Sequence, residues 1–245
     1  MAIGYYRPAP STRTPTLATS LHSVFPTATG PLTLRGAAGA IEAVADVPVA
    51  TDARLGTVII CHPHPLHGGT LHNKVVTMAA RSLRECGLHT LRFNFRGVGA
   101  SEGTHAEGDG EQQDLELVAE WVARTRPDDA LWLAGFSFGA AVSVRAASRL
   151  PCAQLVSIAP PVDKYGFDTA APPTCPWLII QGDDDDVVDP ARVCAYVESL
   201  ETRPTLVRMP GAGHFFHRKL MDLRGALKNG VKTNLPPPDP AASNG

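Results

Sequence analysis

The 245-residue chain has a formal net charge of −2, with 44% hydrophobic and 19% charged residues, proportions that suit one sizeable α/β domain or two small ones. No basic stripe appears, which excludes nucleic acid as an expected partner, and no apolar run reaches the roughly 18 residues of a membrane span. The five cysteines, Cys61, Cys86, Cys152, Cys175 and Cys194, are scattered without a C-x-x-C pair, as expected of reduced thiols in a cytoplasmic protein.

Met1 to Ala40 contains no acid and carries Arg7, Arg13 and Arg35. Residues 1–30 are expected to form a flexible leader, with an organelle-targeting segment as the alternative. LTLR (Leu32–Arg35) and IEAVADV (Ile41–Val47) read as short strands joined by a Gly-rich turn. TVIICH (Thr57–His62) is continuously apolar, as in a strand buried on both faces. A helix is expected over Asn73 to Cys86, stopped by Gly87, and then the strand LHTLRFNF. Glu111 to Arg126 reads as a helix, ALWLAGF as a strand, and Ser137 to Leu150 as a helix. AQLVSIA, WLIIQG and TLVRMP are further strands, with helices expected over Pro190–Leu200 and Phe216–Leu227. This alternation implies one domain over residues 31–230, with a mostly parallel sheet and helices on both faces. The Pro-rich tail, residues 231–245, is expected to be loose.

GFSFG (Gly135–Gly139) joins a strand directly to a helix. A nucleophile on such a sharp turn needs small neighbours two residues away on each side. The turn lifts the Ser137 hydroxyl clear of the sheet and aims a helix N-terminus at a developing oxyanion. The plainer reading, that Ser137 only caps the helix, does not require both glycines. Ser137 needs a base. QGDDDDVVDP and GAGHFFH follow later strands, giving the chain order Ser, Asp, His.

HPHPLHGGT, RFNFRGVGASEG, GFSFG, GDDDDVV and GAGHFF occur in this order between Leu32 and Leu227. Together they resemble the α/β-hydrolase superfamily, and within it the small, lidless serine hydrolases with H-P-H-P-x-x-G-G-T, R-F-N-F-R-G-V-G-x-S-x-G and G-F-S-F-G motifs. The resemblance implies an α/β-hydrolase fold of about eight mostly parallel strands without a sizeable cap. It implies Ser137 as nucleophile, His214 as base (His217 being the alternative) and Asp185 as the acid, with Asp186 as runner-up. The 17-residue connection from Pro160 to Pro176, with five prolines, is too short for a multi-helix lid and implies a shallow, open site.

Four of the nine histidines, His62, His64, His67 and His72, crowd the loop after the strand Thr57–Cys61. H-x-H-x-x-H has zinc-ligand character, but a serine triad needs no metal, and no metal or other cofactor is expected. In α/β-hydrolases this loop supplies an oxyanion donor. Pro63 and Pro65 have no N–H, leaving His64 or Leu66, and the match of His62-Pro63 to the usual His-Gly favours the amide of His64. The second donor is the amide of Phe138. DDDD lacks the spacing of a calcium loop, and after Gly97 and Gly99 the dinucleotide pattern G-x-G-x-x-G is broken by Glu102 in place of its third glycine. Arg96 reads as a loop-pinning residue. The expected activity is hydrolysis of a carboxylic ester or thioester, the partner being a small-molecule acyl substrate. A peptidase, an acyltransferase and a non-catalytic binding protein are the alternatives.

Overall fold

The computed structural model describes residues 22–244. Eight strands form one sheet: β1 (Gly30–Gly36), β2 (Gly39–Asp46), β3 (Gly56–Cys61), β4 (His89–Phe93), β5 (Ala130–Phe136), β6 (Cys152–Ile158), β7 (Trp177–Gly182) and β8 (Thr205–Met209). Their order across the sheet is β1-β2-β4-β3-β5-β6-β7-β8. β2 runs antiparallel to both neighbours, and all later pairs are parallel.

Strands β3, β4 and β7 are buried along their whole length, and the alternating side chains of the central strands feed two cores. Val58 and Ile60 of β3 join Trp132, Ala134, Ile158 and Ile180 on one face. Helices α1 (Lys74–Arg84) and α5 (Leu220–Val231) cover that face with Val76, Leu83, Leu223 and Leu227. Ile59 and Cys61 point the other way, with Leu133 and Ile179. There they meet Leu115 and Val122 of α2 (Asp109–Thr125), Val142 of α3 (Phe138–Ala147) and Val193 of α4 (Pro190–Ser199). Asn73 starts α1 by accepting the Val75 N–H at 2.9 Å.

The chain leaves β3 towards β4 and returns past β3 to β5, so these adjacent parallel strands form the switch point of the sheet. Cys61 pairs with Gly135 at their carboxyl ends. The histidine-rich loop and the GFSFG turn therefore emerge side by side.

The structure departs from the sequence expectations at three places. The leader expected over residues 1–30 falls mostly outside the described residues, but its described part is packed. Phe25 stacks on Trp121 at 5.5 Å between ring centroids, and the Trp121 indole donates to the His22 carbonyl at 2.7 Å. The tail is likewise held where it passes β3. Leu55 N–H donates to Pro237 O at 3.0 Å, Asp239 N–H to Ala53 O at 2.8 Å, and Arg54 Nη1 to Pro236 O at 2.7 Å. Prolines lack a donor but keep a carbonyl acceptor, so a Pro-rich segment can dock on a neighbouring chain's N–H groups. Finally, α5 begins at Leu220, not Phe216, because Phe216 (φ 51°) and Arg218 (φ 60°) are in the left-handed region.

Candidate active site

Ser137 sits between β5 and α3 with φ 54° and ψ −120°, and its side chain makes no capping hydrogen bond. The flanking glycines explain how the turn is tolerated. A Cβ on Gly135 would collide with the backbone of Gly139, and one on Gly139 with the carbonyl oxygens of Cys61 and His62. The Ser137 Oγ is instead 3.1 Å from His214 Nε2.

His214 follows β8, and its Nδ1 lies 2.9 and 3.1 Å from the two carboxylate oxygens of Asp185. Asp185 Oδ1 also accepts the N–H groups of Val187 at 2.9 Å and Val188 at 2.8 Å, while Oδ2 accepts from Gln181 Nε2 at 3.0 Å. Burial by itself would raise the acid's pKa, but the hydrogen bond from His214 and those from Val188 and Val187 together outweigh it and hold the carboxyl below its usual range. With Asp185 ionised, Nδ1 of His214 carries the proton and Nε2 presents its lone pair to Ser137. The structure thus brings Ser137, His214 and Asp185 together. Asp186 is exposed, and Asp183 pairs with Arg208 at 2.8 Å instead. His217 packs against Phe215, away from this chain of hydrogen bonds.

The histidine-rich loop is shaped by His62, which is fully buried. Its Nδ1 lies 2.6 Å from Pro63 O, and its Nε2 accepts the Phe95 N–H at 3.0 Å. Burial pushes its pKa down to about 4, so the ring is neutral at pH 7. His64 Nδ1 accepts the Leu66 N–H at 3.2 Å, which engages one of the two amides considered for the oxyanion. Among the described residues the His64 N–H has no hydrogen-bond partner. Burial, then the neighbouring His67 and His105 rings, lower the pKa of His64. Phe138 is the first residue of α3, where the backbone N–H has no partner within the helix. His67 stacks on His64 at 4.6 Å and His72 is exposed. No group of three or more His, Cys, Asp or Glu side chains is arranged to hold a metal ion among the described residues.

Ser137 and His214 open into a cavity of about 230 Å³, with His64, Phe138, Phe215 and Tyr165 in its walls. The Pro160–Pro176 connection contains turns and no helix. Arg96 holds Asp114 of α2 through Nε at 2.9 Å and Nη2 at 2.8 Å, tying the loop after β4 to that helix. Two participants went unnoticed in the sequence. Gln181 was visible only as a polar residue at the end of a buried strand. Tyr165 gave no signal, because nothing in a Pro-rich connection indicates which side chain turns inward.

The model of the serine aminopeptidase S33 family matches residues 56–173, which include Ser137. A solved structure described as a lidless α/β serine hydrolase from Xanthomonas campestris is 54% identical, with a TM-score of 0.85, covering 89% of this chain and 100% of its own. This chain belongs to the α/β-hydrolase superfamily. An α/β serine hydrolase homologue from Coxiella burnetii is 45% identical to this hydrolase, with a TM-score of 0.82, covering 84% of this chain and 99% of its own. An uncharacterized protein of Rickettsia prowazekii is 34% identical over 190 residues, 74% of this chain and 80% of its own. The hydrolase has an eight-stranded sheet and, among its described residues, no lid over the site, as its Xanthomonas neighbour is described as lidless.

Proposed function

We propose that this hydrolase cleaves a carboxylic ester or thioester of a small acyl substrate through an acyl intermediate on Ser137. The observation that carries the proposal is the continuous hydrogen-bonded chain from Ser137 Oγ through His214 to Asp185. Ser137 Oγ attacks the carbonyl carbon as its proton passes to His214 Nε2. Asp185 keeps Nδ1 protonated and stabilises the imidazolium. The N–H groups of His64 and Phe138 receive the charge that develops on the carbonyl oxygen. Collapse expels the alcohol or thiol, which takes the proton from His214, and water then releases the acid by the same steps. No cofactor enters the mechanism.

The aminopeptidase name of the matching family model favours a second reading, a peptidase on the same triad. An enzyme of that kind must hold the free ammonium of its substrate. Among the described residues no Asp or Glu lines the cavity, whereas Lys164, His64 and His67 do, which supports the ester reading. A panel of p-nitrophenyl esters, an acyl-CoA and an aminoacyl p-nitroanilide tests the choice. Turnover of the esters with none of the anilide is expected, and preferential turnover of the anilide would establish the peptidase.

A further inference from the structure

Beside the cavity at Ser137 lies an open groove of about 540 Å³, bordered by Glu107, Arg145, Arg149 and Thr169. Tyr165 is the one described residue lining both spaces. Its ring meets Phe138 edge-on at 5.0 Å and His64 at 5.5 Å. The segment carrying it is fixed on both sides by buried Val162 and Phe167, and by the bonds Lys164 N–H to Pro161 O (3.0 Å) and Phe167 N–H to Lys164 O (3.1 Å). Its backbone is left-handed at φ 55°, a region that a tyrosine adopts only when its surroundings hold it there.

Resting on the acyl-serine reading, we propose that Tyr165 is the partition that restricts this hydrolase to short acyl groups by closing the cavity off from the neighbouring groove. The direction of the acyl group follows from the chemistry. In the tetrahedral intermediate the leaving oxygen must face His214 Nε2 to receive its proton, so the alcohol lies on the side of His214 and Phe215. Phe215 packs against His214 at 5.1 Å and is partly exposed. The oxyanion turns towards the two amides. The remaining substituent, the acyl chain, points away from His214, towards the rings of His64, Phe138 and Tyr165. A cavity of about 230 Å³ holds roughly eight water-sized groups. That space is shared with the alcohol side at Val187, Val188 and Phe215, so only a short acyl chain, a few carbons long, fits before Tyr165 is met.

The test compares p-nitrophenyl esters from acetate to decanoate on the full-length wild type, Tyr165→Ala, Tyr165→Gly and Tyr165→Phe. Glycine suits the left-handed backbone, which guards against a folding defect in the alanine variant. In the wild type kcat/KM should fall beyond hexanoate. Removing the ring should raise the decanoate-to-acetate ratio by about tenfold or more, and Tyr165→Phe should keep the wild-type ratio. A wild type that turns over decanoate as well as butyrate would overturn the partition and leave the acyl-serine reading standing. So would an unchanged ratio in both the alanine and glycine variants. A wild type that turns over none of the esters and takes up no serine-directed probe would overturn both.

Discussion

Replacing Asp185 by Asn alters the candidate triad with almost no change in volume, and the hydrogen-bond geometry sets the outcome. Oδ1 of the asparagine still accepts from Val187 and Val188, whose N–H groups lie 2.9 and 2.8 Å from the present oxygen. Its NH₂ then takes the place of Oδ2, where Gln181 Nε2 and His214 Nδ1 now approach at 3.0 and 2.9 Å. The reverse orientation would set the NH₂ against the two fixed N–H groups of Val187 and Val188, a worse clash than meeting the single Gln181 Nε2 donor. The asparagine N–H therefore faces His214 and selects the tautomer with its proton on Nε2, the atom that must take the Ser137 proton. Enforcing the wrong tautomer lowers kcat on the order of 10⁴-fold, about 5 kcal/mol of transition-state stabilisation. Ester turnover by purified Asp185→Asn and Asp186→Asn, each checked for folding by circular dichroism, reads the effect. Asp186→Asn should stay within about threefold of wild type, because substitutions on an exposed surface rarely perturb their surroundings. If Asp185→Asn keeps a tenth of wild-type activity, or Asp186→Asn loses as much as Asp185→Asn, the reasoning fails.

Other substitutions and conditions have equally definite outcomes. Gly139→Ala places a methyl against the carbonyls of Cys61 and His62, and should destabilise the fold by about 1–3 kcal/mol, lowering Tm by about 2–4 °C per kcal/mol in thermal melts. A variant as stable as wild type would contradict the close approach of these loops. His62 contributes to acid sensitivity, since its pKa lies at about 4 in the fold against 6.5 ordinarily. The unfolded chain takes up the proton first, so stability is complete above pH 6.5 and falls between there and pH 4, by about 3 kcal/mol from this residue. Urea denaturation across that range should show a shallower decline for His62→Gln than for wild type, and parallel curves would refute the buried neutral ring. Ester turnover should survive excess EDTA; loss on chelation would return a metal role to His62, His64 and His67.

The sequence carries its clearest structural signals where several demands coincide at a few residues. The apolar run at β3, the flanking glycines of Ser137 and the motif order point to the fold, and Gly135 and Gly139 do meet backbone too closely for a Cβ. The choice among four adjacent aspartates needed three dimensions. Only the route of the loop after β7 buries Asp185 against two amides, Gln181 and His214, and leaves Asp186 in solvent. Local composition misled at Phe216 to Lys219, where helix-compatible residues precede the helix because the chain must first turn to bring His214 over Ser137. It misled again at the tail, whose prolines suggested looseness but whose carbonyls answer donors from Arg54 and Leu55. Tyr165 was hidden because its role depends on two cavities formed by distant segments.

The central claim is that Ser137 is the nucleophile, and covalent labelling tests it most directly. Wild-type protein treated with a fluorophosphonate should gain one adduct, mapped by mass spectrometry to the peptide containing Ser137, with parallel loss of ester turnover. Ser137→Ala should take up no probe while keeping the wild-type circular dichroism spectrum. An adduct that persists in Ser137→Ala, or a wild type that hydrolyses esters without ever being labelled at Ser137, would contradict the account.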